Sequence, residues 1–498
     1  MPIPNAERRY QVTTMLFAVG AWLLITSGAQ LAAAQQPAQA DPDPSIAALT
    51  ATVSRGSTVT ISWTGSNATR FDVFAAAGTT PATSDTLLTA VAAERREVVV
   101  PIPASHQQVI RVCARGAVRG VDDCMQRELT NVVLRGDDYD PYTLGGWAPE
   151  EPVEGTLRAT IAAADSGSVI GFASDVSHVD LYGVSAFYYN PPGERAIEPG
   201  EGWQEAHLVV DRDLVISGRP DAPVALSARS ACVGCPAAEA ETYRSRVVRV
   251  LEGVSAELEH LALRGGGFVY EGGGVLNDGT LTLTSVLISD NRAWYEGGGI
   301  HNGSTGVLTL VDTVVRDNRA VTLDEEMGAR FAIRGHADAT ITVADGGYGG
   351  GLFNAVGGTV IASGSVIERN EAKVSGGGAY NLGSMTLEHC VVQDNVADHT
   401  SYAPGAFSSL GGGVYNAGEL VVRETEVLQN RTPNAGGGLF TDVGSVTTLQ
   451  YVHFGENTAE FGAGIRREHG PGEEPDFVSE GVSFGPGDTE STRLVNSE

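Results

Sequence analysis

Gly297-Gly298-Gly299-Ile300-His301-Asn302 is one copy of a motif that recurs through the second half of the chain. It returns as Gly272 to Asn277, Gly349 to Asn354, Gly376 to Asn381, Gly411 to Asn416 and, with Thr441 in the last place, Gly436 to Thr441; Gly462 opens a degenerate copy. The first glycines stand 25, 52, 27, 35, 25 and 26 residues apart. A period of about 25 residues is the size of one solenoid turn and too short for a propeller blade. Between triplets, stretches such as Thr280-Leu-Thr-Leu283, Val307-Leu-Thr-Leu310 and Met385-Thr-Leu387 alternate polar and apolar residues with no helical stripe. Such stretches are strands buried on one face. A parallel β-helix satisfies this pattern. Each coil supplies short strands that pair with their copies one coil away, so open edges remain only at the two ends.

The glycines suit a corner that stacks on itself at about 4.8 Å, where side chains would collide and left-handed backbone angles are favoured. A second asparagine column closes each repeat, at Asn291, Asn318, Asn370, Asn395, Asn430 and Asn457, 19 or 21 residues after its triplet. Stacked amides bond to one another and to turn backbone. Both this column and that of Asn277, Asn302, Asn354, Asn381 and Asn416 are therefore expected to be structural. The variable part is the segment from closing Asn to next triplet. It has thirty residues after Asn318 and fifteen after Asn395, against four or five elsewhere. Both long segments leave the same corner, and insertions on one face often mark a binding face. Residues 319–348 read as an excursion hairpin or as a degenerate extra coil. Trp294, Tyr295, Tyr348, Tyr402 and Phe407 all lie in these segments and are expected to be exposed there, where aromatic faces stack on sugars or anchor interfaces.

Residues 1–34 read as a secretory signal, with Arg8-Arg9, an apolar run of eleven from Met15 to Ile25, and Ala32-Ala33-Ala34 for cleavage. The run is too short for a membrane span; a retained anchor is the alternative. Residues 35–44 form a Pro/Ala linker. Residues 45–135 read as a small β-sandwich with strands at Thr58–Trp63, Arg70–Phe74, Glu97–Val100, Val109–Val112 and Leu129–Leu134. Residues 136–154 read as an acidic linker, 155–465 as the solenoid, and 466–498 as a polar tail or last partial coil. Cys113 and Cys124 flank a hairpin and are expected to pair after export, Cys232 and Cys235 to form a loop disulfide, and Cys390 to be a small inward-facing residue.

The formal net charge of -29, with Lys373 the single lysine, excludes a basic nucleic-acid-binding face. No cofactor is expected, although Asp290 and Asp317, each preceding a closing Asn, are candidates to share a Ca2+ ion. Six positions before the closing asparagines, His389 and Glu424 fall on neighbouring coils and are the candidate acid–base pair of an enzyme.

Gly155-Thr-Leu-Arg-Ala-Thr-Ile-Ala162 resembles the Ser-Leu-Arg-Glu-Ala-Ile opening of bacterial CSLREA-type β-helix proteins, with Gly155 and Ala159 where the usual Cys and Glu stand. Val169–Phe172, Leu208–Gly218 and Leu258–Leu263 look like that family's first coils. The Gly-Gly-Gly-Ile-x-Asn units and Ser289-Asp-Asn-Arg-Ala293 are similar to repeats of polymorphic outer-membrane proteins. Ile61-Ser-Trp63 and Phe71-Asp-Val-Phe74 resemble a fibronectin type III or immunoglobulin-like module. These resemblances imply an all-β chain. Its solenoid would be a right-handed, pectate-lyase-like parallel β-helix behind a β-sandwich, with Thr156 to Ala164 as a short helix over its N-terminal end. They also imply export and an extracellular or cell-envelope location without a transporter barrel. They carry no catalytic motif. The expected role is a monomeric, adhesin-like binding or structural protein contacting glycan or surface protein through the insert-bearing corner. The alternatives are a polysaccharide lyase or glycosidase, or an envelope assembly subunit docked through the sandwich.

Overall fold

The computed structural model describes residues 43–78, 85–116, 122–139, 153–183, 206–230, 246–267, 269–321, 346–398, 409–470 and 476–494. These lie in one compact unit, Asp43–Glu498. The expected signal segment, Cys232 with Cys235, and Tyr402 with Phe407 fall outside them.

Among the described residues the chain is a right-handed parallel β-helix preceded by two small antiparallel sheets. One solenoid coil runs from Ile300–Asn302 through Val307–Val311 and Val314–Arg316 to Arg319–Ala320. These strands belong in turn to a 10-stranded sheet, two 11-stranded sheets and a short 5-stranded corner sheet. Pairing is parallel and in register, as in Thr280↔Val307 through Thr284↔Val311. Alternation builds the core: Leu281 and Leu283 point in, as do Leu308 and Leu310 one coil on, and all four are fully buried.

The triplet glycines have separate reasons to be glycine. The first in each copy has φ between +58° and +69°, which a side chain disfavours. The third leaves room for the closing asparagine: a Cβ on Gly351 would lie 2.6 Å from the Gly378 carbonyl oxygen and 2.8 Å from Asn370 Nδ2. The closing amides form a buried ladder, each Nδ2 donating to the next Oδ1 at 3.0 Å from Asn291 through Asn318, Asn370, Asn395 and Asn430 to Asn457. The other column, Asn277 to Asn302, Asn354, Asn381 and Asn416, repeats this at 2.8 Å. Cys390 lies in a third buried column; its amide donates to Thr425 Oγ1 at 3.2 Å, and burial pushes its thiol pKa up.

Coils before and after the first insert pair directly: Val307↔Thr359 through Val311↔Ser363, and Val314↔Val366 through Arg316↔Glu368. Residues 319–348 therefore supply no extra coil between them, which leaves the excursion; the hairpin itself falls on residues outside the described set.

The N-terminal boundary differs from the expected one. Val132–Val133, read as part of the sandwich, pairs in parallel with Gly171–Phe172 and starts the first 11-stranded sheet. Asp137–Tyr139, read as linker, pairs with Asp180–Tyr182 and starts the second. A short apolar strand carries no mark of which sheet it will join, so alternation alone places it in either. The sandwich closes over these first strands. Trp63 packs on Phe71 at 5.4 Å inside it, and its core is continuous with that of the solenoid. Ser57 Oγ donates to the Ser217 carbonyl at 2.6 Å, and Arg55 reaches Glu257 and Glu259. Cys113 and Cys124 are disulfide-bonded across paired strands. The helix Leu157–Ala163, capped by Thr156 Oγ1, buries Leu157 and Ile161 at the same end. At the other end Asp476–Glu480, Ser483–Phe484 and Glu490–Leu494 each join a sheet, so the described part of the tail is a last coil.

Candidate binding corner

The residue before each triplet and the fifth residue of each hexad meet at one corner. Glu271 pairs with Glu296, Glu296 bridges to Tyr348, and Tyr348 to Ser375, each one coil apart. Just after the glycine turn comes a column of outward residues, His301, Phe353, Tyr380, Tyr415 and Phe440. Their rings stack with centroids 5.1, 5.4, 4.3 and 5.3 Å apart and planes within 18°. Parallel in-register pairing causes this, because identical positions superpose at the strand spacing. Most of the column is buried, and Tyr415 and Phe440 cluster with Ala435, with Leu410 packed against them. Tyr415 also donates its hydroxyl to Asp442. Burial, first of all, holds the Tyr380 and Tyr415 hydroxyls above their usual range.

Charge at this corner is unusual. Arg246 is 2% exposed, its Nε and Nη1 lack hydrogen-bond partners, and burial pushes its pKa down to about 10 against the opposing pull of Glu271. Arg249 pairs with Asp278 at 3.2 Å. Burial and then Glu271 push the Glu296 carboxyl up to about 7. Burial and then Arg246 push His301 down to about 3, so its ring is neutral at pH 7. His301 Nδ1 lies 3.5 Å from Glu296 Oε2 without a hydrogen bond.

The residues singled out from sequence land as follows. Trp294, expected to be exposed, is 1% exposed, with Tyr270 edge-on to it at 5.6 Å. It lies in the strand Arg292–Glu296 next to the equally buried Ala293, so burial in this short strand does not alternate. Tyr295 is half-buried, stacked on Tyr270 at 5.1 Å, and Tyr348 is half-buried against Tyr380 at 5.1 Å. His389 Nε2 and Glu424 Oε2 approach to 3.1 Å, but both side chains are more than half exposed. Both occupy a turn column of positive φ that also holds Ser285, Asp312 and Tyr451. Asp290 and Asp317 occupy a second such column. Asp317 is held by Arg369 through two bonds of 2.9 and 3.1 Å, so a guanidinium already neutralises it, and Asp290 accepts from Ser289 Oγ at 2.9 Å. Among the described residues no group of three or more His, Cys, Asp or Glu is placed to hold a metal ion, and no helix is long and apolar enough to cross a membrane.

Sequence reading missed the aromatic column. Its signal was the fifth hexad position, which runs Leu276, His301, Phe353, Tyr380, Tyr415, Phe440 between conspicuous Gly and Asn. Comparison of the chain with protein families, with curated proteins and with solved structures returns no match.

Proposed function

We propose that this chain is an exported, cell-surface or extracellular solenoid, adhesin-like, that binds glycan or surface protein at the insert-bearing corner. One observation carries the reading: the two long segments follow corresponding corner strands, Arg319–Ala320 and Val396–Ala397, each paired to Glu371–Ala372, and lead back to Tyr348 and Leu410, which both bridge to Ser375. Both inserts are thus rooted on one corner, beside the paired carboxylates and the tyrosines. Tyrosine faces with carboxylate acceptors suit sugar rings and hydroxyls. The surface-repeat resemblance of the hexads and the fibronectin-like reading of the sandwich support the same role. His389 and Glu424, on an open ridge, favour no enzyme.

The test is a glycan and surface-protein array probed with the full protein. A second probe is a variant whose residues 322–345 and 399–408 are replaced by short Gly-Ser links. Binding by the first and loss in the second, with unchanged far-UV circular dichroism, is the expected result. Equal binding by both removes the corner from the account.

A further inference from the structure

Glu296 is a corner carboxylate that the described residues leave without a counter-charge. Arg246 and Arg249 are balanced by Glu271 and Asp278. His301 is neutral at pH 7, and among the described residues no arginine or lysine pairs with Glu296. The Glu296 side chain as a whole is 30% exposed. Behind it stands His301, 6% exposed, its Nδ1 directed at the carboxylate from 3.5 Å and bonded to nothing. The two carboxylate oxygens can accept from an ammonium group, with the buried His301 ring as a neutral wall behind them.

We propose that Glu296, backed by His301 and beside Tyr348, binds the ammonium group of an amino-sugar unit in a glycan. This rests on the glycan-binding reading above and names the sugar. The amine of such a sugar sits on a rigid ring that can lie beside tyrosines, so little freedom is lost on binding. A lysine side chain presents the same charge on a flexible stem that loses rotamer freedom on binding, and it has no ring. The chain's net charge of -29 concentrates cations near it. Among the described residues, the ionisable groups facing Glu296 are Glu271, His301, Tyr348 and Tyr380, with Arg246 behind the first two.

The test is titration calorimetry of the full protein at pH 6 with glucosamine oligomers, N-acetylglucosamine oligomers and oligolysine. The free-amine sugar is expected to bind at least about tenfold tighter than the other two. It should release up to about one proton per site, read from buffers of different ionisation enthalpy, because only ionised Glu296 pairs with ammonium. Glu296→Gln is expected to remove both the preference and the proton release. Should that variant misfold, the wild-type proton count decides alone. Equal binding of the acetylated sugar, tighter binding of oligolysine, or no proton release overturns the proposal while leaving glycan binding intact. Binding of neither sugar also overturns the proposal, and the array result then decides separately on the binding role of the corner.

Discussion

A single methyl group added at Gly351 would meet the Gly378 carbonyl and the Asn370 amide, neither of which can yield without disturbing its ladder. Gly351→Ala is expected to cost about 3 kcal/mol in urea unfolding, as overpacking against fixed backbone does. Gly78→Ala, with open space around it, should stay within about 0.5 kcal/mol. The end of the closing ladder offers the opposite sign. Asp488 Oδ1 accepts from Asn457 N and Nδ2 at 3.1 and 2.8 Å, while its Oδ2 is buried without a partner. Asp488→Asn places an amide donor where every other rung has one, and should stabilise by about 1 kcal/mol; a lower urea midpoint would contradict this account of the ladder. At the corner, the folded-state pKa of Glu296 is raised to about 7, so the folded chain holds a proton that the unfolded chain releases near the ordinary value of 4.5. Its contribution is fully present below 4.5 and is lost as pH rises through 7. Thermal melts should therefore show Glu296→Gln more stable than wild type at pH 8, by about 1–3 kcal/mol, with the gap closing by pH 4. His301, pushed down to about 3, acts in reverse: its contribution is present above 6.5 and lost as pH falls toward 3.

At the scale of elements, the coil is what the amino acids state most openly. Inserted residues do not disturb it, because sheets on either side of the first insert pair without a gap. Replacing residues 322–345 by a short link should leave the far-UV spectrum unchanged and the melting temperature within a few degrees. A broad, non-cooperative melt would show that the insert holds coils together. The period was legible because glycine and asparagine are forced at fixed corners by backbone angle and ladder. What the aromatic positions do was not. Trp294 is as compatible with an exposed corner as with a buried one until its strand's facing is known. The His301-to-Phe440 stack follows only from exact superposition of coils, which spacing irregular in residue count conceals. Val132–Val133 and Asp137–Tyr139 were misplaced for a related reason: short strands acquire identity from their partners. Of the candidate chemistry, the juxtaposition of His389 and Glu424 followed from counting, but their exposure on a left-handed turn column did not.

For the whole molecule, the sandwich is the solenoid's N-terminal cover rather than a separate bead. Gly171 has no side chain because a Cβ there would collide with Ile102 of the sandwich, and Phe172 N donates to Ser57 Oγ at 3.1 Å. Solenoids need such covers, since each coil buries its core only against a neighbour. Deleting residues 43–128 should give a protein that binds the dye ANS and elutes as aggregates; a soluble, cooperatively melting monomer would show that the cover is dispensable. The same stacking has a metric consequence for the inserts. Their roots follow the corner strands Arg319–Ala320 and Val396–Ala397, which are separated by one intervening strand, Glu371–Ala372. Two steps of the strand spacing put those roots about 10 Å apart along the axis. On the proposed binding role, a polymer gripped at both would be held bivalently, its second contact drawing on a high effective concentration. On that proposed role the solenoid would act as a ruler, favouring ligands whose own repeat fits a whole number of its coils.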